Sequence, residues 1–582
     1  MKNKIPFNLI ATILIFIVSI YLTETSKKNA SIIIHSAVIY SVDEQNNIYQ
    51  AIAIRGSRII ALGTNDEILS KYNAGNIIDA KGKTLIPGLI DSHAHLFGLA
   101  QTFLEVNLVG TTSSKQIVEL LKESSKNLPD GVWIRGRGWD QNDWSEKKFP
   151  TSKELDNAFD KNPVILSRID GHAIWVNSLA MRNANISTQT KEIDGGKIYR
   201  DASGNPNGIF VDEAMSLIYK IVPSISEKEI SNALQKGFEK CLSLGLTSVH
   251  EMGVSEDEFN LLDSLNKNNI LPIRIHAAAS GVGTLWQKML ASKLLLHEKN
   301  EMLALRSIKL YVDGALGSRG AALIEPYTDS PDSRGMVITK EEEIKLVTQD
   351  ALENNYQVLT HAIGDRGNKI VLNAYERALE SSKNIDARLR IEHAQVIDEN
   401  DFERFKKLKI IPSMQPTHCT SDMYWAQARL GQKRIRNAYA WRKFLNDGNI
   451  IPSGSDFPVE EVNPLFGFYA AITRQDKNGN PKTIEDVRKN FELSPEGVED
   501  SLDFNNGWYV KELMTRQEAL KSFTIWGAYA EKMEKEKGSL EIGKLADCVL
   551  LSENIMEVQS KKIIDTKIIY TIVNGKIKFS SK

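Results

Sequence analysis

The stretch TLIPGLIDSHAHL, Thr84 to Leu96, opens with an apolar run and closes on two histidines separated by one residue. A short apolar run bounded by Pro and Gly reads as a buried strand. Successive strand side chains alternate faces, so His93 and His95 project the same way from the strand's end. There they can clamp one metal ion through two imidazole nitrogens. Helical metal pairs need a four-residue spacing instead. The pair alone carries little weight, because ten histidines among 582 residues produce about 0.2 such pairs by chance. Its surroundings have to decide.

Seven more runs of the same kind follow at intervals: Gly245 to Gly253, Leu271 to Ala279, Ser307 to Gly317, Tyr356 to Asp365, Leu389 to Ile397, Lys409 to His418 and Ile450 to Val459. Helical patterns separate them, which is the signature of parallel βα units. Eight such units predict a (β/α)₈ TIM barrel, with catalytic groups at the C-terminal ends of its strands. Gln101 to Ser224 is too long for one helix and reads as an insertion after strand one. Of the 381 residues from Leu85 to Leu465, 257 remain once it is set aside, close to the roughly 250 of a typical barrel. The insertion, rich in glycine and aromatics, is expected to roof the barrel mouth as a lid.

Both chain ends read as short strands joined by turns, with Asn574-Gly575 an explicit hairpin signal. The expected organisation is therefore a β-sandwich domain from residues 31–84 and 532–582, a barrel from 85–100 and 225–531, and a lid from 101–224. Arg474 to Leu513 reads as a surface loop.

Composition excludes more than it selects. With 72 Lys+Arg against 74 Asp+Glu, the net charge of −2 offers no field for gathering polyanions, so nucleic acid is not an expected partner. Cys241, Cys419 and Cys548 are too few and too scattered for a disulfide framework or a structural zinc site. Lys2 and Lys4 precede the uncharged stretch Ile5 to Thr23, within residues 1–30. This reads as an export signal or a single membrane anchor, placing the body in the periplasm, outside the cell, or outside the cytoplasm on a membrane. A homo-oligomer stays open.

The ionisable residues supply the context that the histidine pair needs. His93, His95, His250, His276, His361, His393 and His418 all lie within strand runs or at their ends, and Asp456 ends strand eight. His35 and His297 read as structural, and His276 is balanced between the two roles. Imidazole and carboxylate ligands suit zinc or another borderline divalent cation, and an open coordination position would make such a site catalytic. Lys309, Tyr311 and Asp313 share one face of strand four. A free ammonium beside a divalent ion would be repelled, so Lys309 is paired with a carboxylate such as Asp313, remote from the metal, or chemically altered.

The motifs GLIDSHAHL, GWDQNDW, RIDGHAIWVNS, KLYVDGALGSRGAAL, THAIGDRG, RIEHAQV, SGSDFPV and GSLEIGKLADCVLL, in this order, resemble the amidohydrolase superfamily. Within it they are similar to the family 3 branch that includes N-substituted formamide deformylases. The resemblance covers about Ser31 to Lys582. It implies a metal-dependent hydrolase with one or two zinc ions in a TIM barrel flanked by a β-sandwich. It further implies that His93 and His95 hold the more buried metal with Asp456, that His361 and His393 hold a second, and that Lys309 is carboxylated into a bridging carbamate.

The expected reaction is hydrolysis of a small-molecule amide, formamide or cyclic amide, with Asp456 as general base and acid. His172, Arg319 and His418 are candidates for the donor beside the oxyanion. Trp139 and Trp144 suggest an apolar substrate wall, although tryptophans in such a loop are as often core. Two competing readings use the same residues: deamination of a ring amidine, and a binding protein that has kept the barrel and lost catalysis. Retention of the whole ligand set argues against the latter.

Overall fold

The computed structural model of the chain describes residues 27–223, 226–292, 302–382 and 386–581. Residues 1–26 of the expected leader (1–30) and His297 lie outside the described residues, and Lys28 to Ala30, the leader's expected end, begin the strand Lys28–His35 instead. No helix among the described residues is long and apolar enough to cross a membrane.

The centre is a parallel sheet of seven strands, β1 (Leu89–Ala94), β2 (Leu246–Val254), β3 (Arg274–Ser280), β4 (Leu303–Tyr311), β5 (Gln357–Ala362), β6 (Arg390–His393) and β7 (Ile411–Ser413), each hydrogen-bonded to its neighbours in chain order. Every residue of β1, β5, β6 and β7 is buried. These strands are covered on both faces, as in a parallel sheet, and the polar residues among them, such as Asp91, His93, His361, Arg390 and Glu392, are buried with the apolar ones. Helices cover the outside with one apolar stripe each. In Asp365–Glu380 the stripe is Val371, Leu372, Ala374, Tyr375 and Ala378, at the spacing of a helix face.

The eighth expected strand is not a regular one. Ser453 makes a single parallel bridge to Met414. From there the backbone threads between β7 and β1: Gly454 N–H donates to Met414 O at 3.1 Å, Ser92 N–H to Ser453 O at 3.0 Å, and Asp456 N–H to His93 O at 2.7 Å. Pro452 and Pro458 lack an N–H for a ladder, and Asp456 has a left-handed backbone, φ 60°. Gly454 passes so close to β1 that a Cβ there would sit 2.5 Å from His93 N. The barrel is thus closed by an irregular segment that delivers Asp456 beside His93.

Strands from the two chain ends lie in one six-stranded sheet, where Cys548–Leu551 pairs antiparallel with Thr84–Pro87. Asn574 and Gly575 both have positive φ, 55° and 68°, the backbone that a tight hairpin turn demands. A second sheet holds Lys28–His35, Ala51–Arg55, Arg58–Gly63 and Tyr72–Asp79. The two share a core that includes Ile34, Ile52, Leu85, Leu550 and Ile572. The fully buried Arg274 of β3 joins the barrel to this layer through Asp547 at 2.6 Å.

Residues 106–212 contribute a separate six-stranded sheet, in the order Gly196–Arg200, Pro206–Asp212, Ala173–Val176, Val164–Arg168, Ile134–Trp139, Val106–Asn107. Trp139 and Trp144 belong to its core. Trp139 is 0% exposed, donates from Nε1 to Leu166 O, and packs on the rings of Trp144 and Trp175 at 6.1 and 6.3 Å. The expectation of a tryptophan substrate wall is therefore corrected: these rings are the apolar interior that lets the inserted segment fold.

Candidate metal centre

The site grows from the end of β1. His93 is fully buried, and its Nδ1 lies 2.6 Å from Glu392 Oε2 on β6. That contact fixes the ring and leaves Nε2 facing Asp456 Oδ1 at 3.4 Å. His95 Nε2 is 3.1 Å from the same oxygen, and His418 Nε2 is 3.5 Å from Asp456 Oδ2. Asp91 anchors the two segments by accepting the backbone N–H groups of His93 and Ser455 and the Ser455 hydroxyl. Burial pushes its carboxyl up to about 6.

His393 ends β6 with φ 72°, followed by Ala394 at φ 43°. Left-handed non-glycine residues are costly and cluster where a side chain must be re-aimed. Here the turn swings His393 beside His93, with ring centroids 4.7 Å apart, and beside His361 at 4.6 Å. Gln415 Oε1 holds its Nδ1 at 2.7 Å. The ligand atoms of His93, His393 and Asp456 all lie within 4.8 Å of one another, the one such grouping among the described residues. This trio crosses the pairing that the resemblance implies, which sets His393 with His361.

Five buried polar atoms around this point have no hydrogen-bond partner among the described residues: His93 Nε2, His361 Nε2, His418 Nε2, Lys309 Nζ and Asp456 Oδ1. Each such orphan costs about 1–3 kcal/mol, so their convergence fits a site built to hold a ligand. The charge states fit a cation. Burial lowers the pKa of His95, and those of His361 and His393 far below the usual imidazole range, keeping these rings neutral as metal ligation requires. For Asp456 burial acts upward, but the His93 and His95 rings outweigh it and hold the carboxylate well below its ordinary range.

Lys309 does not pair with Asp313. Its ammonium is fully buried, 4.8 Å over the Tyr311 ring, and burial lowers its pKa to about 8. Asp313 instead accepts the backbone N–H groups of Ala322, Ile363 and Gly364 and stands 3.5 Å from His361 Nε2. His250 and His276 turn out to lie elsewhere. They face each other across β2 and β3, deeper in the barrel, against Glu531 and its partner Lys537.

A cavity of about 860 Å³ opens over the centre, walled by barrel residues and by Arg137, Asp140 and Asp170 of the inserted sheet. His93, His95, Lys309, His361, His393, His418, Asp456 and His172 all line it, whereas Trp139 and Arg319 do not. Arg319 is engaged with Asp329 at 2.9 Å and is 37% exposed, away from the cavity lining. Exposed ion pairs contribute little. Arg319→Ala is therefore expected to change kcat/KM by less than about threefold, and a hundredfold loss in steady-state assays would return it to the site.

The sequence reading missed Glu392 and Arg390. Both are 0% exposed, with Arg390 Nε 2.7 Å from Glu392 Oε1, and Arg390 also reaches Ser92 O and Ser413 Oγ. Their signal was present in RIEH, where alternation aims both side chains into the barrel. Glu251 was missed too. It accepts the Leu96 N–H, and burial pushes its carboxyl up to about 8.

The chain is similar to known proteins over most of its length. Putative amidohydrolase YtcJ of Bacillus subtilis (strain 168) is 31% identical over 557 residues, which span 93% of this chain and 98% of that protein. N-substituted formamide deformylase of Arthrobacter pascens is 24% identical over 94% of this chain and 98% of the deformylase. A crystal structure of an uncharacterised metal-dependent hydrolase from Pyrococcus horikoshii OT3 superposes with a TM-score of 0.71 at 25% identity, covering 91% of this chain and 99% of the other. The amidohydrolase family model matches residues 76–579, from the outer sheet through every barrel strand and the lid, and the chain belongs to that family.

Proposed function

We propose that this chain hydrolyses a carbon–nitrogen bond other than a peptide bond, of amide or formamide type, in a small molecule. The observation that carries the reading is the convergence, at a single buried point, of imidazole nitrogens without a hydrogen-bond partner among the described residues and the Asp456 carboxylate. The deformylase relative supports the choice of bond.

In this reading His93, His393 and Asp456 hold a divalent ion, zinc by its donor set, with His95, His361 and Lys309 completing one or two positions. Such an ion, when bound, would supply Lewis acidity, lowering the pKa of a water to about 7 and polarising a carbonyl. Asp456 takes the proton as attack proceeds and returns it to the leaving nitrogen. His95 Nε2 and His418 Nε2 stand 3.1 and 3.5 Å from its two oxygens. Glu392 fixes the His93 ring through Nδ1, so that Nε2 is the ligating nitrogen. Lys309 is carried as a carbamate in this reading, because an amine lowered to about 8 presents more of the neutral nitrogen that adds to carbon dioxide. The lid excludes water and sets substrate choice.

The test is metal analysis of the purified chain, joined to assays with N-formyl amines, N-acyl amino acids and cyclic ureas. One to two equivalents of bound metal and amide turnover that a chelator abolishes and zinc restores are expected. Full turnover by metal-free protein would sink the mechanism. Ammonia release from a ring amidine, without amide cleavage, would transfer the reading to deamination. Carbon-13 bicarbonate should yield a carbamate resonance that Lys309→Ala removes. The proposal extends to an exported body, which cell fractionation tests.

A further inference from the structure

The inserted segment carries one histidine, His172, to the cavity over the metal centre. His172 stands just before the strand Ala173–Val176, and its side chain, 25% exposed, lines the cavity over the metal centre. Its Nδ1 lies 2.8 Å from Asp212 Oδ1. The backbone repeats the link, with Asp212 N–H donating to His172 O at 3.1 Å, and His172 N–H donates to Asp170 Oδ1 at 3.0 Å. One ring nitrogen is thus engaged, while Nε2 has no hydrogen-bond partner among the described residues.

Asp212 occupies φ 50°, ψ −128°, a combination natural to glycine and strained for a residue with a side chain. Its cross-strand partner is Gly196, where a Cβ would lie 2.2 Å from Ala214 N, so the turn is pressed against its neighbour. Glycine at 212 would relieve the strain. Among the described residues the one side-chain hydrogen bond that aspartate makes there is to His172, which lines the cavity, and strain of this kind clusters at functional sites. Burial alone would lower the His172 pKa, but the bond to Asp212 and the charges of Asp170 and Asp212 outweigh it and raise the pKa above its usual value.

We propose that His172 is the lid's catalytic residue, donating from Nε2 to the substrate's carbonyl oxygen as negative charge develops there, and that Asp212 is the positioning residue that orients it. This rests on the hydrolase reading above and deepens it. Because Nδ1–H is given to Asp212, donation from Nε2 uses the ring protonated on both nitrogens, a form favoured by the adjacent Asp170 and Asp212 carboxylates. Both protons stay on His172 throughout, the hydrogen bond strengthening when the oxygen becomes anionic and relaxing when the carbonyl re-forms. The reaction therefore needs groups from both bodies, the barrel for attack and the lid for the oxyanion.

The test uses the full-length, metal-loaded chain and two probes, p-nitrophenyl acetate as an activated ester and N-formylbenzylamine as an amide. His172→Gln is expected to lower kcat by about 10²–10³-fold while KM moves less than about threefold. Asp212→Ala is expected to lower kcat at least about tenfold, and to cost nothing further when His172 is already Gln, because it acts through that ring. Asp212→Asn, which tolerates positive φ and keeps an acceptor oxygen, should recover part of the loss. Unfolding temperatures and metal content measured alongside separate these effects from loss of fold. Multiplying losses in the double variant, or a rise in KM with kcat unchanged, would overturn the proposal while leaving the hydrolase reading intact. A wild-type chain that cleaves the ester but not the amide would overturn the carbon–nitrogen assignment alone. A wild-type chain inert toward both probes would remove both.

Discussion

Asp456→Asn is expected to lower turnover by about 10²–10⁴-fold while leaving divalent-metal content largely intact. Asparagine keeps the shape of the side chain and one oxygen able to ligate, but it has no charge and cannot take a proton. The substitution is also clean in the backbone. Asp456 sits at φ 60°, a left-handed conformation that asparagine tolerates better than most residues, so an unfolded variant is not the expected result. Steady-state kinetics and metal analysis on one preparation check this together. Full activity in the variant would remove Asp456 from the chemistry, and loss of metal with loss of activity would make it a ligand first and a base second.

Glu392→Ala is expected to destabilise the chain by about 3–5 kcal/mol, because it leaves a buried guanidinium without its counter-charge. Arg390 and Glu392 are both 0% exposed and lie 2.7 Å apart. Burial acts to raise the Glu392 pKa, and the adjacent Arg390 and His93 reverse this, holding it far below the usual carboxylate range. A depressed acid contributes stability above its unfolded pKa and loses it as pH falls toward the folded value, so at neutral pH the full contribution is present. The same substitution frees the His93 ring, and metal affinity should fall about 10–100-fold. Denaturant unfolding and competitive metal titration read the two effects separately. Replacing both Arg390 and Glu392 by leucine should restore stability relative to Glu392→Ala without restoring metal affinity. Unchanged stability in Glu392→Ala would show that the pair is not the buried unit described above.

The His-x-His pair, the strand runs and the placement of histidines at strand ends were legible because they depend on local rules. Strand alternation, turn chemistry and the position of ligands at the ends of barrel strands are all periodic in the sequence. The tryptophans were ambiguous for an equally physical reason. A substrate wall and a folding core are both apolar, and only burial tells them apart: Trp139, 0% exposed and bonded to Leu166 O, is core. Arg319 shares a motif with Lys309 and Asp313, yet its partner is Asp329, which no spacing announces.

By itself the sequence determined which residues could hold a metal and which strands would carry them, since both follow from side-chain chemistry and two-residue alternation. The tertiary structure decided which of them meet. His93 lies hundreds of residues before Glu392 and Asp456 in the chain, and only closure of the barrel, completed by the irregular segment around Ser453, brings its ring within 2.6 Å of Glu392 and 3.4 Å of Asp456. His172 and Asp212 come to the cavity from a separate sheet. Distances of that kind are set by long-range packing, whose cost and reward are spread over the whole core, and no local stretch of sequence encodes them.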